Sequence, residues 1–297
     1  MKWVKAAGAV VCALVLVVFT VCPVLPWTMG QVVAAERADR FVQVVAHADD
    51  DLLFMSPDLF GAVAGGRVTT TIYLTAGEGP TGVEDDRDPR AYVRDRQEGI
   101  KAAYAYLAGV PNVWRSRVLS LGRLPVRVDT LAASPRIRLV FAGLPDGGDP
   151  RADGGHDALA RMWARDACVR RFTGPCPHPC VRRQDVLDTL RALYQRYRPT
   201  VLRTLDPNPP DWHGDHTDHT TSAKFAAEAA RGMKLKLLAY RGYTMTGWPS
   251  NLDWRARRLK EAAFQVYRRH DYRAESGPRY AAWLKRMYLV RPGVFGP

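Results

Sequence analysis

The sequence is poor in lysine, poor in cysteine and short of acid. Of its 43 basic residues only 8 are lysine and 35 are arginine, against 30 acidic residues, which leaves a net charge of +13 over 297 residues. The arginines are spread from Arg37 to Arg291, mostly as isolated residues. No aromatic-interleaved basic run and no zinc-finger spacing occurs, so the charge does not describe a nucleic-acid-binding module. Scattered arginine beside abundant Ala and Val is read as compositional drift, with loose association to an anionic cell envelope as its one expected consequence. No internal repeat and no Pro/Gly linker between two halves is present, which excludes a solenoid and a balanced two-domain chain. An apolar fraction of 47% excludes a disordered chain.

What is present begins with a targeting segment. Lys2 and Lys5 precede a run without charge from Ala6 to Trp27, the pattern of a basic n-region and an apolar h-region. Val33-Ala34-Ala35 suits cleavage before Glu36, so residues 1–35 are expected to be an export signal and residues 36–297 a single domain. The run is also long enough for an uncleaved anchor, although Pro23 and Pro26 shorten its unbroken helix. The protein is therefore expected to be secreted or extracytoplasmic, or membrane-anchored if the segment stays. Cys168, Cys176 and Cys180 remain after it, and in an oxidising compartment they suggest one disulfide and one spare thiol, with the pairing open.

From Arg40 onward, apolar runs alternate with helical patterns. Strands are expected at Phe41–Ala46, Val68–Leu74, Val113–Leu119, Ile137–Ala142, Val201–Leu205 and Leu235–Tyr240. Helices are expected at Ala91–Leu107, Ala158–Ala167, Asp185–Tyr197, Thr217–Arg231, Trp254–His270 and Pro278–Tyr288. The alternation predicts an α/β fold, a Rossmann-like and mainly parallel sheet flanked by helices. Residues 77–89 and 145–155 are polar and Gly-rich, as expected of loops around a site at the carboxyl ends of the strands.

Two clusters carry chemistry. His47-Ala48-Asp49-Asp50-Asp51 follows the first buried strand directly. Burying such groups without a partner is costly, and imidazole with carboxylate suits zinc. The second cluster, His213-Gly214-Asp215-His216-Thr217-Asp218-His219, follows the Val201–Leu205 strand and opens a helix. Two His/Asp clusters at two strand ends point to one metal centre, because a catalytic zinc site takes about three protein ligands and leaves room for water.

These clusters resemble the two signatures of the PIG-L/LmbE-like zinc deacetylases, His-Pro-Asp-Asp-Asp/Glu and His-x-Asp-His, in an exported branch of that family. Leu74-Thr75-Ala76-Gly77, Leu144-Pro145-Asp146-Gly147 and Tyr240-Arg241-Gly242-Tyr243 extend the likeness. The resemblance implies a Zn2+ ion held by His47, Asp50 and His216, with other divalent ions also able to fit, and Asp49 as general base. It implies His213 as a stabiliser of the oxyanion, with Asp215 orienting it. Arg96, Asp211 and Trp212 are the implied substrate contacts. Some members carry a tyrosine two residues before the second-motif histidine, where this chain has Asp211; Ala48 replaces the usual proline. Asp218 and His219 are read as residues of the helix N-terminus. The implied activity is removal of the acetyl group from an N-acetylglucosamine-containing glycan or glycoconjugate, such as a glycopeptide antibiotic. The competing expectations are a zinc amidase or esterase on a non-sugar substrate, and an exported carbohydrate-binding protein without catalysis.

Overall fold

The computed structural model describes residues 39–174, 180–210, 214–274 and 277–290. Among them a seven-stranded sheet runs through the molecule: β1 (Arg40–Val45), β2 (Val68–Thr75), β3 (Trp114–Leu119), β4 (Val126–Leu131), β5 (Ile137–Leu144), β6 (Val201–Leu205) and β7 (Lys236–Tyr240). Their spatial order is β3-β4-β5-β2-β1-β6-β7. β5, β2, β1, β6 and β7 are mutually parallel, while β3 and β4 add an antiparallel edge.

The parallel strands are apolar because both faces are covered. Register pairs Val44 with Ile72 and Ile72 with Val140, and these side chains join one core; Val45, Tyr73 and Phe141, one step along, join the other. This period-2 alternation divides the strands between two helical layers. The Val45 layer packs under α1 (Asp50–Phe54), α2 (Asp58–Ala64), α3 (Pro89–Ala108) and α7 (Trp254–Arg268). The Val44 layer packs under α4 (Ala158–Arg165), α5 (Arg183–Tyr197) and α6 (Thr217–Ala229).

α3 illustrates how the sequence sets an element. Asp88 caps it by accepting from Arg90 and Ala91 N–H, Pro89 occupies its first turn, and Gly109 ends it at φ 64°. Its face of Ile100, Ala103, Tyr104 and Leu107 is buried, as the spacing predicts. The expected helix over Pro278–Tyr288 is cut short, α8 spanning Pro278–Trp283. The chain beyond it pairs with the end of β7, Val290 N–H donating to Ala239 O and Arg241 N–H to Tyr288 O. Two of the freed carbonyls, Trp283 O and Arg286 O, accept from the buried Lys260 Nζ at 2.9 and 2.6 Å. β4, α1 and α2 were not separable in the sequence, being short and set by tertiary contact.

Cys168 and Cys180 form a disulfide, and Val169 and Val181 bridge beside it. Cys176 lies outside the described residues, as do residues 1–38, which hold the expected export signal. Among the described residues no helix is long and apolar enough to cross a membrane.

Candidate metal centre

The chain runs outward from β1 to β2 and β5, then returns to lay β6 on the other side of β1. The carboxyl ends of β1 and β6 therefore flank the point where strand order reverses, the usual place for a site in an open α/β sheet. His47 to Asp50 occupy the turn leaving β1. Asp50 Oδ2 folds back to accept from Ala46 N–H at 3.1 Å and His47 N–H at 2.8 Å. That fixes the carboxylate and leaves Oδ1 facing inward. Asp49, at the N-cap of α1, makes no capping bond with its side chain, so it is free to turn the other way.

β6 leads to the second cluster. Asp206 at its end pairs with Arg241. α6 then begins at Thr217 with His216 as its N-cap, Nδ1 accepting from Asp218 N–H at 3.1 Å. Because His216 is spent on the cap, it does not reach Asp50. The residue one turn further does: His219 Nε2 stands 3.0 Å from Asp50 Oδ1, and Asp50 Oδ2 is 3.5 Å from His47 Nδ1. Donor atoms of His47, Asp50 and His219, all buried, lie within 4.8 Å of one another. The imidazole that joins His47 and Asp50 is thus that of His219, one helical turn beyond the expected His216, which groups instead with His47, Asp146 and Asp218. Asp218 and His219 do sit at the helix start, as read, but both are wholly buried in the site.

Asp215 joins the same imidazole. Its Oδ1 lies 2.7 Å from His219 Nδ1; His213, which it was expected to orient, lies outside the described residues with Asp211 and Trp212. The signal was present in the sequence. His213-Gly214-Asp215-His216 and His216-Thr217-Asp218-His219 are two overlapping frames of one His-x-Asp-His pattern, and the fold brings the later one to Asp50.

A second group shares His47. Its Nε2 is 3.2 Å from Asp146 Oδ2 and 3.3 Å from Asp218 Oδ2, with His216 Nε2 at 3.9 Å from Asp146 Oδ1. Asp218 Oδ2 accepts from Gly147 N–H and Asp146 Oδ1 from Gly148 N–H, while Asp218 Oδ1 is buried without a hydrogen bond, so this group too could hold an ion. Asp146 was visible only as part of a motif and had no assigned role.

Electrostatics favour a cation. Burial disfavours charge on every group, yet the pairing wins: Asp50 and Asp215 push His219 up to about 10, Asp146 and Asp50 raise His47 well above its ordinary value, and His219 with His47 hold Asp50 well below the carboxylate range. A divalent ion binding here would compete with protons for the two imidazoles. His219 Nε2 is buried and lacks a hydrogen bond despite its closeness to Asp50. An orphaned imidazole nitrogen, a second imidazole and an anchored carboxylate are the donor set of a zinc-type site, and the residues fit such an ion.

Asp49 is the odd carboxylate. Burial raises its pKa to about 6, with Arg96 opposing the rise. Arg96 Nη2 donates to Asp49 Oδ1 at 2.8 Å, Nη1 to Gly77 O at 2.7 Å and Nε to Tyr267 OH at 2.8 Å, with Asp271 Oδ2 at 3.0 Å. Every nitrogen of this buried guanidinium has a protein partner, Asp49 among them.

Beside the centre opens a cavity of about 610 Å³ lined by Gly214, Tyr243, Thr244, Thr246, Pro278, Arg279 and Trp283. Tyr243 packs edge-on against His219, ring centroids 4.7 Å apart, and stacks on Trp283 at 4.6 Å. Tyr243 was visible only as part of the Tyr240-Arg241-Gly242-Tyr243 motif, and nothing local distinguishes Trp283 from a core aromatic.

Solved structures to which the chain is similar include the zinc-inhibited form of teicoplanin deacetylase Orf2, at 15% identity over 77% of this chain and 83% of that one, TM-score 0.48. They include N,N'-diacetylchitobiose deacetylase from Pyrococcus horikoshii, at 13% identity over 83% and 77%, TM-score 0.47. The 4-carboxy-2-hydroxymuconate hydratase GalB from Pseudomonas putida stands at 15% identity over 82% of each chain, TM-score 0.46. Nothing among curated protein sequences matches the chain. Residues 42–230, which include both His/Asp clusters, match the model of the family described as PIG-L, GlcNAc-PI de-N-acetylase, and the chain belongs to the PIG-L family.

Proposed function

We propose that the protein is a zinc-dependent deacetylase that hydrolyses the N-acetyl group of an N-acetylglucosamine-containing glycan or glycoconjugate. His47, Asp50 and His219 are the proposed ligands and Asp49 the general base. The observation that carries this reading is the division of labour between two adjacent carboxylates. Asp50 is anchored and turned to two imidazoles, while Asp49 is turned away, held by Arg96 and brought to a pKa of about 6.

A bound divalent ion would polarise the acetyl carbonyl and acidify water beside it. Asp49 takes the proton as a water oxygen bonds to the carbonyl carbon. It then returns that proton to the nitrogen as the C–N bond breaks, giving acetate and a free amine. His216 is the proposed oxyanion donor. Its Nδ1 is occupied as an acceptor by Asp218 N–H, which leaves the proton on Nε2, at the site's more open edge. The Tyr243/Trp283 cavity offers ring faces of the kind sugars stack on.

We also propose export. The basic-then-apolar start of the chain supports it, as does the Cys168–Cys180 disulfide, a feature of oxidising compartments. The test of function is acetate release from a panel of acetylated amino sugars and glycopeptides, with and without a chelator. Chelator-sensitive release of equimolar acetate and amine is expected. A protein with full zinc content that releases acetate from no amino sugar contradicts it.

A further inference from the structure

A second cavity, of about 300 Å³, has Pro145, the neighbour of Asp146, in its lining. Its walls come from three places: the start of α3 with Arg90, the loop with Pro145 and Arg151, and the disulfide-closed segment with Arg170, Arg171 and Phe172. Pro145 adjoins Asp146, whose carboxylate reaches His47, so the cavity shares a wall with the metal centre.

The segment after Cys168 is docked by design of its sequence. Phe172 and Thr173 N–H both donate to Gly143 O, and Arg171 Nε donates to Ala142 O at 2.9 Å. Gly143 has φ 71°, and a Cβ there would stand 2.2 Å from Thr173 O, so the approach requires glycine.

The charges in this cavity do not cancel. Asp149 Oδ1 is taken by Arg151 N–H and Nε, Asp153 by Arg170 N–H and its guanidinium, and Asp88 by the first N–H groups of α3. Arg90 lies over the Phe172 ring, 5.5 Å from its centroid, and has no carboxylate partner among the described residues. Arg171 stands out further. Its Nη1 and Nη2 are buried and have no acceptor among the described residues, and burial alone brings its pKa down to about 10. A buried guanidinium with two idle donors is costly unless an acceptor arrives. A guanidinium presents paired N–H groups in the geometry that oxyanions accept.

We propose that the Arg90/Arg171 cavity binds an oxyanion, a phosphate or carboxylate group. The group can belong to the acetylated substrate, which would rest on the deacetylase reading above, or to a separate small anion.

The experiment is calorimetric titration of the zinc-loaded full chain with inorganic phosphate in a chloride background, for wild type, Arg171→Gln and Arg90→Gln. Arg90 is exposed, so its replacement keeps the test alive if Arg171→Gln fails to fold. Phosphate affinity is expected to fall about tenfold or more in each variant with zinc content unchanged. Affinity equal to wild type in both variants overturns the proposal, since phosphate drawn to the metal would behave that way; so does absence of phosphate binding by wild type.

A kinetic arm locates the anion by comparing N-acetylglucosamine 6-phosphate with N-acetylglucosamine. A lower KM for the phosphorylated sugar that disappears in Arg171→Gln puts the anion on the substrate; equal KM values beside Arg171-dependent phosphate binding make it a separate ligand. Arg171-dependent binding without acetate release from either sugar would leave the cavity standing and count against the deacetylase reading alone.

Discussion

Asp215 Oδ1 and His219 Nδ1 stand 2.7 Å apart at the first turn of α6, both fully buried, with Asp215 also accepting from His216 and Tyr243 N–H. A carboxylate behind an imidazole fixes its tautomer and raises its basicity towards a metal. The chain leaves room for this contact at Gly242, where a Cβ would lie 2.5 Å from Asp215 Oδ2. Asp215→Asn is therefore expected to weaken zinc binding about 10- to 100-fold in a chelator competition. Unchanged affinity would show that Asp215 does not act through His219.

Asp49 and Asp50 should respond differently to the same change. Asp49→Asn is expected to retain zinc and to lower kcat by about 10² to 10⁴, the range for loss of a general base. Asp50→Asn is expected to lose zinc first and activity with it. Equal zinc loss in both variants, read by elemental analysis, would contradict the division between them.

Lys260 gives a pH prediction away from the site. Burial depresses its pKa well below the ordinary lysine value, and its partners are two carbonyls rather than a carboxylate. Between the depressed folded value and about 10.4 the unfolded chain binds more protons than the folded one, so stability from this group rises with pH and is diminished as pH falls. The urea-unfolding free energy of wild type minus that of Lys260→Met should rise with pH, by up to about 1.4 kcal/mol per pH unit, as pH approaches about 10.4. A flat difference would mean that the ammonium is retained.

The Cys168–Cys180 disulfide closes a short loop, with the cysteines 12 residues apart. Loop-closure entropy sets its contribution near 3 kcal/mol. Paired Cys168→Ala and Cys180→Ala replacement should lower unfolding free energy by about that much and leave zinc content intact, because the described part of the loop docks on the Gly143 end of β5. Zinc loss in the paired variant would mean that the loop supports the centre.

The parallel sheet was legible because strands buried on both faces are mostly apolar, as Phe41 to Ala46 are apart from Gln43. The His/Asp clusters were legible because ionisable groups so dense at a strand end need a shared partner. The choice between His216 and His219 was not, because it turns on which residue spends its side chain on the helix cap, and both frames of His213 to His219 satisfy the same spacing. Arg96 was singled out by resemblance, but its pairing with Asp49 was not legible: only its contacts with Asp49, Gly77 and Tyr267 separate it from the surface arginines. Tyr243 and Trp283 reach the site through the packing of segments distant from both clusters, which local pattern does not record.

The ligand set is tested most directly by zinc content per chain, measured in parallel on wild type, His216→Ala and His219→Ala. About one zinc is expected in wild type and in His216→Ala, and close to none in His219→Ala. An empty His216→Ala beside a fully loaded His219→Ala would contradict the centre assigned to His47, Asp50 and His219.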